Sequence, residues 1–481
     1  MRIDVVLRNV GIVMLFIAFF MLLSAGISLF NGMDSAFYPL LLSALLTALL
    51  GAFPLIFVDN RKQITNKEGF CIVVGSWLVA CVVGMFPYLI WGGEFSLINA
   101  WFESVSGFTT TGASILTNIE GLPRGMLFWR MATTWIGGMG VVMFVLVILP
   151  LVGSSRMSLS NVEMSSLAKD NYHYRLQMIV QILVVVYVGM TALTTLLLKL
   201  AGMNWFDSLC HAMSACATSG FSTKNASIGF YNSPMIETIL IVAMATAGVH
   251  FGLIFATVTG KRNNVFRSEV ARHYFAMLLI GSVLIAISLY AMKIYPSFGG
   301  AIRHATFQFV SLVTTTGFAT ADTSTWTSFA IVILIFGSLV CACSGSTAGG
   351  LKINRLILAG KMMYARLRQQ QHPNAIIRIR LDGIVQENDT LHGVMTFVVA
   401  FMLCILLGTL FSAMFGVDLT TSFTSAIACL SNVGPGFGEV YSLGNYGGLP
   451  TMVKLFDSLL MLMGRLEIFG FIQLFLMKWW R

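Results

Sequence analysis

Four short tracts rich in threonine and serine each end in a glycine, and each lies between two long apolar stretches. The tracts are Thr109–Gly112, Ala217–Gly220, Thr314–Gly317 and Ser431–Gly434. Their glycines are 108, 97 and 117 residues apart, so the chain repeats one unit four times. Three tracts also share a serine six residues before the glycine: Ser106, Ser214 and Ser311. Four copies of one element, each bringing backbone carbonyls to a common axis, are typical of a cation-selective pore.

The composition places these tracts in a membrane protein. The chain has 481 residues, of which 57% are hydrophobic and only 10% charged, whereas a soluble domain has about 25% charged residues. Ten stretches are long enough to cross a bilayer, which takes about 20 apolar residues. They are Val10–Leu29, Phe37–Val58, Cys71–Trp91, Phe128–Val152, Met178–Leu198, Met235–Thr259, Phe275–Tyr295, Phe329–Leu358, Val394–Phe415 and Val453–Met477. The predicted fold class is therefore an all-α polytopic membrane protein.

Lysine and arginine predict the orientation. With ten spans and both termini in the cytoplasm, 21 of the 29 basic residues fall in cytoplasmic segments. The net charge of +9 is then explained by that face, and no nucleic-acid partner is expected. The first apolar stretch lacks a small-residue cleavage site, which favours a retained helix over a signal peptide. The eight cysteines lie in or beside apolar stretches and are expected to be buried hydrophobic side chains rather than disulfides or metal ligands.

Each repeat reads as a membrane helix, a short pore helix, a tract and a second membrane helix. The predicted pore helices, too short to span, are Leu97–Phe108, Trp205–Cys216, Ile302–Val313 and Leu419–Leu430. A non-helical tract at membrane depth is tolerated only when buried in protein or lining an aqueous cavity. The predicted organisation is two N-terminal transmembrane helices (1–66), then pore repeats at 67–175, 176–271, 272–387 and 388–481 around one pseudo-fourfold pore.

The chemistry of the tracts suits K⁺. Backbone carbonyls replace the hydration shell of this ion without the strong attraction of a carboxylate, and glycine permits backbone angles that residues with a Cβ avoid. No acidic residue occurs in the tracts, which disfavours a Ca²⁺ or Mg²⁺ site. K⁺, the transported ion, is expected in a selectivity filter. The filter residues are Thr110, Thr111, Gly112, Thr218, Ser219, Gly220, Thr315, Thr316, Gly317, Asn432, Val433 and Gly434.

These tracts, with Cys343–Lys352 and Met463–Arg465, resemble the TrkH/KtrB/HKT superfamily of potassium-translocating subunits. The resemblance covers nearly the whole chain, and the two extra N-terminal spans are similar to its TrkH branch. It implies potassium uptake across the bacterial cytoplasmic (inner) membrane by a homodimer with one pore per subunit. It also implies a cytosolic nucleotide-binding regulatory subunit resembling TrkA. Only one glycine per tract is common to all four repeats, so selectivity is expected to be less stringent than in dedicated potassium channels. Val433 departs from the hydroxyl pattern.

The span Phe329–Leu358 contains a break that predicts a gate. Three glycines in six residues disfavour helix by about 1 kcal/mol each, and the break follows the third tract, so it should lie on the intracellular side of the filter. The predicted gate residues are Gly345, Ser346, Thr347, Ala348, Gly349, Gly350 and Arg465. The alternative is close helix packing through small residues. Arg465 lies inside the last apolar span and needs polar partners, for which carbonyls of the broken span and Glu467 are candidates. The resemblance also places this arginine against the loop.

Several other assignments remain open. Glu103 is expected to form local hydrogen bonds rather than to bind an ion. The hydrophilic segment Lys352–Arg380, together with Lys261–Arg272, is predicted to dock the regulatory subunit; positive-inside bias alone is the alternative. A K⁺ symporter coupled to Na⁺ or H⁺ is the main alternative function. A carrier built from inverted repeats is disfavoured because the repeats run in one direction. No Walker loop, HExxH motif or catalytic pair is present, so no enzyme is predicted.

Overall fold

The computed structural model describes residues 2–58, 66–140, 176–262, 264–375 and 377–475 of the chain. The secondary structure of these ranges is almost wholly helical, which confirms the predicted fold class. The helices are α1 (Ile3–Phe30), α2 (Phe37–Phe57), α3 (Asn66–Gly84), α4 (Phe86–Trp91), α5 (Leu97–Phe108), α6 (Arg124–Met139), α7 (Leu176–Leu200), α8 (Trp205–Ala217), α9 (Pro234–Ala247), α10 (Phe251–Val258), α11 (Glu269–Ala291), α12 (Phe298–Val313), α13 (Ser328–Val340), α14 (Ile353–Gln371), α15 (Asn388–Met414), α16 (Leu419–Leu430), α17 (Thr451–Arg465) and α18 (Phe469–Phe475). One hairpin, β1 (Arg380–Leu381) with β2 (Ile384–Val385), lies between α14 and α15.

Six of the ten predicted spans are helices long and apolar enough to cross a membrane in the described ranges. They are Ile3–Phe30, Phe37–Phe57, Lys67–Trp91, Gln181–Leu200, Glu269–Ala291 and Asn388–Met414. The span Phe128–Val152 extends past residue 140 and lies in part outside the described residues. Seven basic residues that are predicted to be cytoplasmic also lie outside the described residues: Arg61, Lys62, Arg156, Lys169, Arg175, Lys478 and Arg481.

The remaining three spans are each two helices with a break, and only one of these breaks was predicted. The break in Phe329–Leu358 is longer than expected, because α13 ends at Val340 and α14 begins at Ile353. The span Met235–Thr259 was expected to be continuous and is wrong in that respect, since α9 and α10 meet at an angle of 107°. The side chain of His250 starts α10 by accepting a hydrogen bond from Gly252 N at 3.0 Å. The last span breaks between α17 and α18.

The four predicted pore helices are confirmed as α5, α8, α12 and α16, with ends that differ by at most four residues. Each starts with the same local device: a side chain just before the helix accepts a hydrogen bond from the backbone N–H three residues on, a favourable N-cap. The capping residues are Ser96, Asn204, Ser297 and Asp418. At Asp418, hydrogen bonds from the hydroxyl and backbone N–H of Thr421 hold the pKa of the carboxyl below its usual value.

The core of the described residues consists of two large apolar clusters and one small one. The first large cluster joins α1, α2 and α3 to the first and fourth pore helices, and the second joins the second and third pore helices with α9, α11 and α13. The small cluster joins the end of α6 to α7, α8 and α10. The outward face of α2 is apolar and exposed, with Leu49, Ile56 and Phe57 each at least 71% exposed. Such a face is suited to lipid rather than water. All eight cysteines are free, seven of them buried.

Candidate functional site

The four tracts have the same backbone conformation. The residue two before each glycine is left-handed, with φ of 56°, 55°, 57° and 55° at Thr110, Thr218, Thr315 and Asn432. The glycines that follow also have positive φ, at 76°, 83°, 80° and 94°. A left-handed residue with a Cβ is uncommon, so its recurrence at four equivalent positions marks one repeated structure rather than four unrelated turns.

The tracts lie side by side and close into a ring. A Cβ added to Gly112 would overlap the carbonyl oxygen of Ser219, which precedes the glycine of the second tract. The same relation holds from Gly220 to Thr316, from Gly317 to Val433, and from Gly434 back to Thr111. Each glycine is therefore packed against a carbonyl of the next tract, in the order one, two, three, four, one. Glycine is required at these positions by both its positive φ and the lack of space.

Hydroxyl groups brace the tracts from within. Thr109 Oγ1 and Thr111 Oγ1 are 2.8 Å apart, and Thr314 and Thr316 repeat this bond at 2.8 Å in the third tract. In the fourth tract Asn432 Nδ2 donates to Thr111 Oγ1 at 3.0 Å, which ties the last tract to the first. Polar residues at the tract positions thus fix the geometry of the ring.

A cavity of about 150 Å³ borders the ring. It is lined by all four glycines and by the segments that follow the first, second and fourth tracts. A second cavity, of about 160 Å³, is lined by residues 344–350, by Gly138 and by Arg465. All the predicted gate residues line this second cavity, whereas none of the four tract glycines does.

The segment between α13 and α14 lies directly beside the ring. Gly349 N donates to Thr315 Oγ1 at 3.1 Å, and Thr347 Oγ1 donates to Cys216 O at 3.1 Å. Gly349 also has no room for a Cβ, because Ser431 O and Asn432 lie against it. This loop (residues 341–352) is therefore in contact with the second, third and fourth repeats.

Arg465 joins this loop to the first repeat. Its Nη1 donates to Thr347 O at 2.8 Å, and its Nη2 donates to Gly137 O at 2.6 Å, at the end of α6. The loop carbonyl named as a candidate partner is thus in place. The carboxylate of Glu467, the other candidate, forms an ion pair with Arg355 at 2.7 Å.

Sequence reasoning missed three features near the ring. Lys352 is buried at the end of the loop and donates from Nζ to Ala348 O. The break in the last span has Glu467 and Ile468 at φ of 54° and 41°; Gly464 and Gly470 flank it, but no glycine or proline lies within the break itself. Glu103 has the local hydrogen bonds that were expected, but it also pairs with Arg130 at 2.7 Å, and both side chains are 0% exposed. The sequence offered one signal for this pair: two residues of opposite charge, Glu103 and Arg130, within neighbouring apolar segments.

Comparison with known proteins agrees with this architecture. Residues 41–479 match the family model TrkH, described as cation transport protein. The chain is 34% identical to the Trk system potassium uptake protein TrkH of Halomonas elongata over the whole of both chains. It is 35% identical to the protein of that name from Escherichia coli K12, over 89% of each. The crystal structure of the potassium transporter TrkH from Vibrio parahaemolyticus superposes with a TM-score of 0.90 at 30% identity, over 100% of both chains.

The helices, the ring of four tracts and the loop beside it define a polytopic membrane protein of the cation-transport class, not a class of enzymes. The chain belongs to the TrkH family.

Proposed function

We propose that this protein takes up K⁺ across the bacterial cytoplasmic membrane through the ring of four tracts, which acts as a channel-like selectivity filter. The observation that carries the proposal is the ring closure, in which each tract glycine packs against a carbonyl of the next tract. Relatives over the full length are named potassium uptake proteins. The filter residues are the twelve given above, three in each tract.

The physical basis is the replacement of water by carbonyl oxygens. A K⁺ ion that loses its hydration shell in the ring meets carbonyls from four tracts at once. The carbonyl ends of the four pore helices point toward the tracts, and this end of a helix dipole favours a cation. No carboxylate belongs to the tracts, so the ion is held weakly enough to leave.

Residues 345–350 of the loop, together with Arg465, act as the gate in this proposal. The guanidinium has five N–H donors and no acceptor, and it holds a loop carbonyl and an α6 carbonyl together. Opening requires the loop to leave the ring, which breaks the bond from Gly349 to Thr315. A cytosolic nucleotide-binding subunit resembling TrkA would drive this movement through α14, and the protein would be a homodimer in the lipid bilayer with both termini cytoplasmic.

One observation favours the alternative of transport coupled to H⁺. Asp457 lies in α17, is fully buried, and neither carboxylate oxygen has a hydrogen-bond partner among the described residues. Intramembrane carboxylates are common in proton relays. Asp457 belongs to none of the four tracts and does not line the cavity that contains the four tract glycines. The carboxylate therefore lies outside the ring.

Ion flux into liposomes tests the proposal. Purified protein should carry K⁺ and Rb⁺ faster than Na⁺ and Li⁺, with a rate that follows the K⁺ gradient and does not need a Na⁺ or pH gradient. Equal flux of all four ions would contradict the filter. Accumulation of K⁺ against its gradient, driven by an imposed pH gradient, would replace the channel-like mechanism with the symporter.

A further inference from the structure

The position nine residues before each tract glycine has a common role that the tract pattern alone does not show. It is occupied by Glu103, His211, Gln308 and Ser425 in the four repeats. Three of these side chains bond the segment that leaves their own tract. Ser114 Oγ donates to Glu103 at 3.0 Å, His211 Nε2 lies 2.9 Å from Ser222 Oγ, and Gln308 Nε2 donates to Ala321 O at 2.7 Å. The pore helix thus braces the outer end of its tract in three repeats.

Only the first repeat has a charge at this position, and that charge is paired. Arg130, in α6, donates from Nε to Glu103 Oε1 at 2.9 Å, and its Nη2 lies 2.7 Å from the same oxygen. Both side chains are 0% exposed. Removal of one partner from such a pair leaves an uncompensated buried charge. Loss of either Glu103 or Arg130 alone would therefore leave a net buried charge.

Arg130 also connects the first repeat to the second. Its Nη2 donates to Ser114 Oγ at 3.2 Å, and its Nη1 donates to Ser222 O at 3.4 Å. The guanidinium carbon lies 4.1 Å from the centre of the Phe221 ring. Ser114 and Ser222 each lie two residues after a tract glycine. One side chain therefore holds the outer ends of two tracts at a fixed separation.

Arg130 borders the cavity of about 150 Å³ beside the ring, which it lines together with Gly112 and Gly220. Lys224 lines it too, and its Nζ lies 4.0 Å from a carboxylate oxygen of Asp207. Both basic groups at this mouth thus face a carboxylate. An unpaired positive charge in a cavity of low dielectric would repel a cation strongly.

We infer that Glu103 and Arg130 are positioning residues for ion selection: Arg130 sets the spacing of the first and second tracts, and Glu103 cancels its charge at the mouth of the pore. The inference rests on the proposed function, because it assigns the cavity with the four glycines to the incoming ion. The inference distinguishes two effects. The charge of Arg130 governs the K⁺ concentration at which uptake is half-maximal, whereas the bridge that Arg130 forms between the first and second tracts governs which ion passes.

The first variant is Glu103→Gln, which gives the first repeat the amide that Gln308 supplies in the third. Arg130 is left charged and unpaired. The K⁺ concentration at which uptake into liposomes, followed with a rubidium tracer, reaches half of its maximal rate should therefore rise about fivefold or more. A bulky impermeant cation added as its chloride should change this rise only slightly, because the Arg130 side chain is buried and buried charges are screened by salt much less than exposed ones. The maximal rate should change much less than the half-saturation concentration.

The second variant, Glu103→Gln with Arg130→Gln, removes both charges and remains informative if the single variant does not fold. Its half-saturation concentration should return to within about twofold of wild type, because no net charge is left at the mouth. Its Na⁺/K⁺ permeability ratio should rise, because the bridge between two tracts is lost. The matched control is Gln308→Leu, which removes a brace without a charge and should leave the salt dependence of half-saturation as in wild type.

The outcomes are distinct. Wild-type protein that carries no K⁺ even with the cytosolic nucleotide-binding subunit added would refute the proposed function before any variant is compared. If wild type carries K⁺ and folded Glu103→Gln has the wild-type half-saturation concentration, the charge assignment is wrong. A double variant with wild-type selectivity refutes the bridge, and one with a raised half-saturation concentration refutes the compensation of charge.

Discussion

At the scale of single residues, each tract glycine has no room for a Cβ, because a backbone carbonyl of the next tract lies against it. We expect Gly112→Ser, Gly220→Ser and Gly317→Ser each to raise the Na⁺/K⁺ permeability ratio, by about threefold or more, because a Cβ displaces a carbonyl of the next tract. The ratio would be measured from reversal potentials or paired tracer fluxes in liposomes.

Gly299→Ser is the control for these variants, because Gly299 lies at the start of α12 and no atom lies within 4 Å of an added Cβ. It should conduct and select like wild type. Wild-type selectivity in all three well-folded tract variants would show that the ring is not the filter.

Asp457 gives a second test at this scale. Asparagine has nearly the same shape and cannot ionise, so Asp457→Asn removes only the proton chemistry of the side chain. For channel-like flux we expect the K⁺ rate to stay within about twofold of wild type between pH 6 and pH 8, since the residue lies outside the ring. The variant would be compared with wild type in liposomes with and without an imposed pH gradient. Loss of a K⁺ accumulation that wild type drives from the pH gradient would instead identify Asp457 as a coupling site.

At the scale of elements, sequence and structure agree where the signal is local. The pore helices were predicted because each is an apolar segment too short to span, and the break after α13 because glycines are frequent there. The break at Glu467 and Ile468 has only the flanking Gly464 and Gly470 as a signal, and no glycine lies between the two helices. It is held by distant contacts instead, from Arg465 to Thr347 and from Glu467 to Arg355. The closure of the ring likewise depends on pairs of residues about a hundred positions apart, which spacing suggests but does not determine.

The loop itself supplies the element-scale prediction. Deletion of Ser344–Gly350 should raise K⁺ flux several-fold in the absence of any partner, because it removes the contacts of Thr347 and Gly349 beside the ring. Arg465→Ala should have a smaller effect, about twofold, because the loop keeps its other bonds. Selectivity should stay nearly unchanged in both, since the tracts are intact.

Gly360→Ala, in the open middle of α14 with no atom within 4 Å of the added Cβ, is the control for expression and folding. Liposome flux of K⁺ and Na⁺ would be measured for all three proteins. A folded deletion protein that conducts no more than wild type would show that the loop is a packing feature, and the gate would have to lie elsewhere.

At the scale of the whole molecule, one helix connects the loop beside the ring to a basic surface. α14 begins at Ile353, directly after the loop, and continues to Gln371. The segment Lys352–Arg380 was predicted to be hydrophilic and to dock a partner; its first part is this helix, with Arg366 and Arg368 exposed near its end. A force applied at the end of a continuous helix is transmitted to its start, so a partner bound there is well placed to act on the loop.

Charge reversal tests that connection. Arg366→Glu combined with Arg368→Glu should weaken binding of the cytosolic nucleotide-binding subunit about tenfold or more, because it replaces attraction by repulsion at the docking surface. Basal K⁺ flux without the subunit should stay at the wild-type rate, because both side chains are exposed and far along the helix from the loop. Lys293→Glu is the matched control: it reverses an exposed charge after α11, on the opposite face in the proposed topology. Binding would be measured by pull-down and by titration of flux with the subunit. Unchanged binding by the double variant would show that these arginines contribute only to membrane orientation. The subunit would then not act on the loop through this end of α14.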